Sequence, residues 1–234
     1  MIIDRVYIIQ NIIDKIRAKT YLEIGVRDGE CFLRIRGPRK IAVDPCIAIT
    51  SRKKRKFIFR NLANIFNRYM EMTSNEFFSR ESLSLKNEGL DVVFIDGLHT
   101  YEQSLADVEN SLQYISRNGV IVMHDCNPQS EAAAHPASTT AEGENLSVPG
   151  FAGEWNGDVW KTIVHLRSLR KDVNVIVLEC DQGLGVIMKR DPESNLSYTR
   201  EEINNLTYKD LDQNRNALLN LKPLDYFEKL LSAL

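Results

Sequence analysis

The sequence predicts an α/β protein with a mostly parallel sheet, helices on both faces, and a last strand that runs antiparallel. Three observations carry this expectation. Apolar runs at 20–24, 40–44, 90–96 and 119–125 alternate with helical stretches, as buried parallel strands joined by crossovers do. Residues 101–116 place Leu105, Val108, Leu112 and Ile115 at helical spacing and close on Asn118 and Gly119, a helix stop signal, so one crossover helix is explicit. The final runs, 173–179 and 184–189, are separated only by Cys180, Asp181, Gln182 and Gly183. That spacing suits a hairpin and is too short for a parallel crossover.

Taken in order, residues 1–19 form an amphipathic helix: Ile2, Ile3, Val6, Ile9, Ile12, Ile13 and Ile16 recur at helical spacing. Asp4, Arg5, Asp14 and Lys15 interrupt any signal or membrane segment there. The strand at 20–24 runs into a turn containing Gly25 and Gly29, and the strand at 40–44 delivers Asp44. Arg52, Lys53, Lys54, Arg55 and Lys56 form a dense basic run that suits phosphates or an anionic membrane, although a solvated loop is its expected form. Residues 69–72 make a weaker strand, with Ser74 just beyond it. Between 127 and 156 the chain is rich in Ala, Ser, Thr, Gly and Pro without apolar period, and is expected to be a loop serving as a substrate lid, the alternative being simple disorder. A helix at 158–170 follows. Trp155 and Trp160 flank its start: an exposed indole there would stack on a sugar face, a buried one would pack the helix. Lys161 meets either an anionic substrate group or solvent. The tail, 190–234, is expected to be helical and to dock through Phe227 and Leu230.

The length, 234 residues, suits one domain over 1–234, with no internal repeat. A formal net charge of -2 argues against a dedicated nucleic-acid binder, so neither nucleic acid nor membrane is an expected partner. Four scattered cysteines, without a C-x-x-C pair, read as reduced thiols and point to the cytoplasm.

The chemistry concentrates at strand ends. Glycines at 25 and 29 let backbone approach a ligand where a Cβ would collide, and Asp44 is suited to gripping two ribose hydroxyls, so the pattern describes an adenosine-type cradle. NAD is disfavoured, because Arg27 stands where a dinucleotide fingerprint needs its second glycine. Asp96 and Asp125 end two other strands and offer hard oxygens for Mg²⁺ or a similar cation. His124 joins them only if its strand has already ended, since neighbouring strand residues face opposite ways. Asn127 is an alternative neutral oxygen. His99, three residues past Asp96, is placed to deprotonate a hydroxyl; the alternative is that it caps the following helix.

The Glu23-x-Gly25-x-x-x-Gly29 pattern resembles motif I of class I S-adenosylmethionine (SAM)-dependent methyltransferases. Residues 94–102, 124–128 and 155–161 are similar to those of methyltransferase family 24, and Asp96, His99 and Asp125 to those of metal-dependent sugar O-methyltransferases of macrolide and aminocoumarin biosynthesis. The resemblance implies a Rossmann-like, seven-stranded sheet and SAM bound by Glu23, Gly25, Gly29, Asp44, Ser74 and Asp96. In that set Glu23 helps to hold the methionine ammonium and Asp44 the ribose. It also implies Mg²⁺ held by Asp96, Asp125 and His124, with His99 as the base. His124 departs from the macrolide enzymes, which have an acidic residue there, and this leaves the number of metal ligands open. The expected reaction is O-methylation of a sugar, glycan precursor or small metabolite, by a protein that can form homo-oligomers. The alternatives are transfer to nitrogen or a macromolecule, or a SAM-binding accessory protein without turnover.

Overall fold

In the computed structural model, which describes residues 3–37 and 39–234, helix α1 (Arg5–Ile16) opens the chain. The Asp4 side chain accepts from the Tyr7 N–H at 2.9 Å to cap it, and its buried face is Ile8, Ile9, Ile12 and Ile13. Ile2, part of the expected apolar stripe, lies outside the described residues. Cα packing separates the chain into two units, residues 1–97 with 106–122 and 233–234, and residues 98–105 with 123–232.

The first unit contains β1 (Tyr21–Ile24), β2 (Lys40–Asp44), α2 (Ser51–Arg60), a 3₁₀ helix (Leu62–Phe66), β3 (Arg68–Glu71), α3 (Ser74–Arg80), α4 (Ser82–Glu88) and β4 (Leu90–Ile95), then most of α5 (Tyr101–Tyr114) and β5 (Ile115–Met123). Its strands follow the order β3-β2-β1-β4-β5. The pairs β1–β2, β1–β4 and β2–β3 are parallel, with Ile24 in register with Val43 on one side and Ile95 on the other. Strand order therefore reverses beside β1, which is where open α/β sheets bind ligands. Both β1 and β2 are buried along their whole length, which is why they read as continuous apolar runs.

The basic run is a correction. It is helical, forming most of α2, and not a loop: the Thr50 side chain accepts from the Lys53 N–H, and Arg and Lys are strong helix formers. Its solvation is as expected, since α2 buries no residue.

The second unit holds α6 (Thr140–Glu144), α7 (Trp160–Leu169), β6 (Asn174–Leu178), β7 (Leu184–Met188), α8 (Arg200–Asn205), α9 (Tyr208–Leu219), β8 (Leu221–Lys222) and α10 (Tyr226–Ser232). The hairpin is present: β7 runs antiparallel to β6, with Ile176 opposite Val186. Among the described residues the strand count is eight where seven were expected, because the two-residue β8 adds in parallel to the free side of β6. Two residues carry no periodicity, so this strand leaves no trace in the sequence. Arg167, almost fully buried, crosses to the end of α9 and donates to the carbonyls of Ala217 and Leu218, a cation placed at a helix C-terminus. Helix α10 docks through Phe227 and Leu230 as expected. No helix among the described residues is long and apolar enough to cross a membrane.

Candidate functional site

The first unit gathers Glu23, Gly25, Gly29, Asp44 and Asp96 at the carboxyl ends of β1, β2 and β4. Gly25 donates to the Val43 carbonyl at 2.9 Å, and the Asp96 N–H donates to that of Ile24 at 2.9 Å, so the turn is strung between two neighbouring strand ends. Gly25 has φ +84°, and a Cβ there would stand 1.9 Å from the Asp96 carbonyl oxygen; one on Gly29, φ +77°, would meet Ile49 at 2.7 Å. Only glycine serves at these two positions. Asp44 holds the turn directly: Oδ2 accepts from the Arg27 N–H at 2.7 Å and Oδ1 from the Cys46 N–H at 2.7 Å. A carboxylate has about four lone-pair directions, so both oxygens retain acceptor capacity toward a diol.

Glu23 is buried, and its environment sets its chemistry. Oε1 accepts from the Phe32 N–H at 3.1 Å, and Oε2 from the Tyr21 hydroxyl. Burial pushes this carboxyl up to about 8, against the Tyr21 hydroxyl, which favours the ionised form. Burial likewise brings the Lys40 ammonium down to about 8; its Nζ donates to the carbonyls of Phe32 and Ile35.

A carboxyl raised in the folded state takes up a proton on folding at pH values between its two pKa values. The stability Glu23 contributes is therefore full below about pH 4.5 and is lost as pH rises through about 8. Lys40, lowered from 10.5, changes only above about pH 8, and there in the opposite direction. Chemical denaturation between about pH 5.5 and 7.5 should show stability falling by roughly 1 kcal/mol per pH unit, and Glu23→Gln should flatten that slope. Equal slopes in both proteins would remove the assignment.

Ser74 starts α3 and donates through Oγ to Asp107 Oδ1 at 2.6 Å. Asp96 Oδ2 accepts from Arg5 Nη1 at 2.9 Å. Nothing in the sequence points to Arg5, which lies 91 residues away in a helix.

In the second unit, His99, His124 and Asp125 come together. Strand β5 has ended at Met123, and Asp125 takes a left-handed φ of +62°, a conformation that Asp tolerates better than most residues. This meets the condition for His124 and Asp125 to face one place: His124 Nδ1 is 3.0 Å from Asp125 Oδ2, and His99 Nε2 is 3.2 Å from the same oxygen. Asp125 Oδ1 accepts from Asn156 Nδ2 at 2.5 Å, and His124 Nε2 lies 3.4 Å from Asp181 Oδ1.

His99 is held on three sides. Its Nδ1 is 2.8 Å from the Trp155 carbonyl, and its ring stacks on the Trp155 indole with centroids 5.0 Å apart. A carbonyl only accepts, so Nδ1 carries a hydrogen toward Trp155, and Nε2 is the nitrogen that faces the Asp125 carboxylate. Gly157, φ +60°, passes so close that a Cβ would be 1.9 Å from the His99 carbonyl oxygen. The start of α5 is capped by other side chains: Thr100 Oγ1 accepts from the Gln103 N–H at 3.3 Å, and Asp158 Oδ1 from the Tyr101 N–H at 2.7 Å.

The segment 127–156 is more ordered than an unpatterned loop. It contains α6, buries Ala132, Ala133, Ala134 and Ala137, and packs Gly143 onto the Trp155 indole, whose Nε1 donates to the His135 carbonyl at 2.8 Å. Trp155 and Trp160 are both buried, so they pack the fold and present no open platform. Lys161 meets neither a site nor bare solvent; its Nζ donates to the Asn204 carbonyl at 2.9 Å. Asn127 Oδ1 accepts from Arg215 Nη1 at 2.6 Å. Asn156 and Gly157 were missed as individual supports, although both lie in the 155–161 motif.

Residues 22–126 match the profile of a family described as a methyltransferase domain. Solved structures share the fold. A candidate O-methyltransferase from Klebsiella pneumoniae is 14% identical, with 76% of each chain covered and a TM-score of 0.55. An O-methyltransferase from Bacillus cereus in complex with SAH is 16% identical over 78% of this chain and 80% of that one, TM-score 0.53. The SAH-bound methyltransferase PaMTH1 from Podospora anserina is 16% identical over 79% and 77%, TM-score 0.52. No curated protein matches the sequence. Fold and profile together define the class I methyltransferase architecture. The chain is similar to a methyltransferase domain over residues 22–126, and it shares the fold of these methyltransferases.

Proposed function

We propose that the protein transfers the methyl group of SAM to a hydroxyl of a sugar, glycan precursor or other small metabolite, with His99 as general base. The observation that carries this reading is the placement of the His99 ring: Nδ1 is held on a backbone carbonyl, and Nε2, the nitrogen that would exchange the proton, faces the Asp125 carboxylate. A methyl transfer to nitrogen has less need of such a base, because an amine is nucleophilic without one.

The steps balance simply. The acceptor oxygen forms a bond to the methyl carbon as the carbon–sulfur bond breaks, the sulfonium leaves as neutral thioether, and the hydroxyl proton passes to Nε2 of His99. Asp125 then stabilises the imidazolium. The glycine turn and Asp44 would hold the donor, the latter through its remaining lone pairs on the ribose diol, and Glu23 would steady the turn under the methionine end. Alignment of donor and acceptor supplies much of the acceleration in reactions of this kind. The four thiols fit a cytoplasmic setting.

Asp125 and His124 would hold a divalent cation such as Mg²⁺, to which the family resemblance adds Asp96. The carboxylates suit that ion, and the imidazole of His124 suits softer ones better. When bound, it would serve as a Lewis acid that acidifies the acceptor hydroxyl. A second reading, favoured by the Arg5–Asp96 pair and by the two imidazoles on Asp125, balances these charges without an ion.

The test is a panel of pyranosides, amines and RNA offered with labelled SAM, before and after chelation. Methylated sugar hydroxyls, lost on chelation and restored by Mg²⁺ or Mn²⁺, are the expected result. Label confined to amines or RNA would overturn the reading, and sugar turnover unaffected by chelation would transfer the charge-balancing role to Arg5.

A further inference from the structure

The first unit carries a surface that methyl transfer does not use. Seven of the chain's thirty Lys and Arg fall within residues 51–70, and none of its thirty-two Asp and Glu. Helix α2 displays Arg52, Arg55, Lys56 and Arg60 as exposed side chains. Beside them Phe59, Leu62, Ile65 and Phe66 are 88%, 69%, 59% and 74% exposed. Four large apolar side chains so open within eight residues, on a protein whose other apolar residues are mostly buried, form a patch of the kind that marks a partner. Leu62 and Ile65 are three apart in the 3₁₀ helix and so share one face of it.

We propose that α2 and the 3₁₀ helix after it form a docking surface for an anionic lipid bilayer, with Phe59, Leu62, Ile65 and Phe66 entering the interface and the basic side chains meeting lipid phosphates. Apolar side chains beside a basic helical face are the signature of helices that lie on membranes. The attraction of a basic cluster to an anionic leaflet reinforces it. The surface departs from the expectation that no membrane is involved, and it is independent of which acceptor the site takes. A second copy of the chain fits poorly, since a symmetric contact through the patch would set each basic helix close to its own equivalent. A nucleic acid fits less well than lipid, because Phe59 and Phe66 could stack on bases but the exposed Leu62 and Ile65 beside them could not.

The experiment is co-sedimentation of the full chain with vesicles of phosphatidylcholine, alone or with about a third phosphatidylserine. Binding only to the anionic vesicles is expected. The triple variant Arg52→Glu, Arg55→Glu and Lys56→Glu should reduce that binding by at least about tenfold. Phe59→Ser with Phe66→Ser should leave a weak residue that salt removes. All altered side chains are exposed, so SAH affinity should be unchanged in both variants and will confirm folding. No binding to anionic vesicles would overturn the proposal, as would binding indifferent to both variants. So would a solution dimer that the Phe59→Ser, Phe66→Ser protein cannot form, or RNA binding that replaces vesicle binding.

Discussion

His99→Ala is expected to lower kcat by about 10²- to 10⁴-fold while leaving donor affinity intact. The substitution removes an imidazole that is held by a backbone carbonyl, with Nδ1 at 2.8 Å from Trp155, and whose other nitrogen faces a carboxylate at 3.2 Å. An acceptor hydroxyl would then have to release its proton to water, and the alkoxide character of the nucleophile would be lost. His99→Gln separates proton transfer from packing, since it fills part of the space against the Trp155 indole without a basic nitrogen. Equal loss in both variants, with SAH affinity unchanged, assigns the effect to the proton. Full turnover by His99→Ala would remove the base from the account.

Gly25→Ala should damage both the fold and the donor site. Its φ of +84° is strained for any L side chain, and the new methyl would stand 1.9 Å from the Asp96 carbonyl oxygen and 2.6 Å from the Gly97 nitrogen, both backbone atoms that cannot swing away. Strain and overpacking together should lower stability by roughly 2–5 kcal/mol. Because the turn must separate from β4 to admit the methyl, SAH binding should fall below detection even at temperatures where the variant remains folded. Denaturation and calorimetry on the same sample measure both effects. A variant of native stability with native SAH affinity would show that the turn does not approach the donor closely.

Much of this architecture was legible because burial leaves its own pattern. Strand β2 occupies the expected residues 40–44, and β1 and β4 differ from expectation by a single residue at one end. Gly25, Asp44, Asp96, His99 and Asp125 were readable because strand ends concentrate chemistry and their residue types are rare in buried runs. The supports of the site were not readable. Arg5 reaches Asp96 across 91 residues, and Trp155 reaches His99 across 56, so no local spacing announces either pair. Helix α2 was misjudged because a run of like charges suggests a solvated loop, whereas the decisive factor is the Thr50 cap and the propensity of Lys and Arg. Residues 127–156 lack a period because the segment buries short side chains, Ala132, Ala133, Ala134 and Ala137, and sets Gly143 against the Trp155 indole, which creates order without a repeating stripe.

The central claim is that the turn after β1, closed by Asp44, holds a sulfonium donor. Calorimetric titration of SAH into the native protein, with NAD as the contrasting ligand and Gly25→Ala as the paired control, tests it most directly. Saturable one-to-one binding of SAH, none of NAD, and loss of the SAH signal in the variant are predicted; a native protein that takes up NAD, or that gives no heat with SAH, would contradict the account.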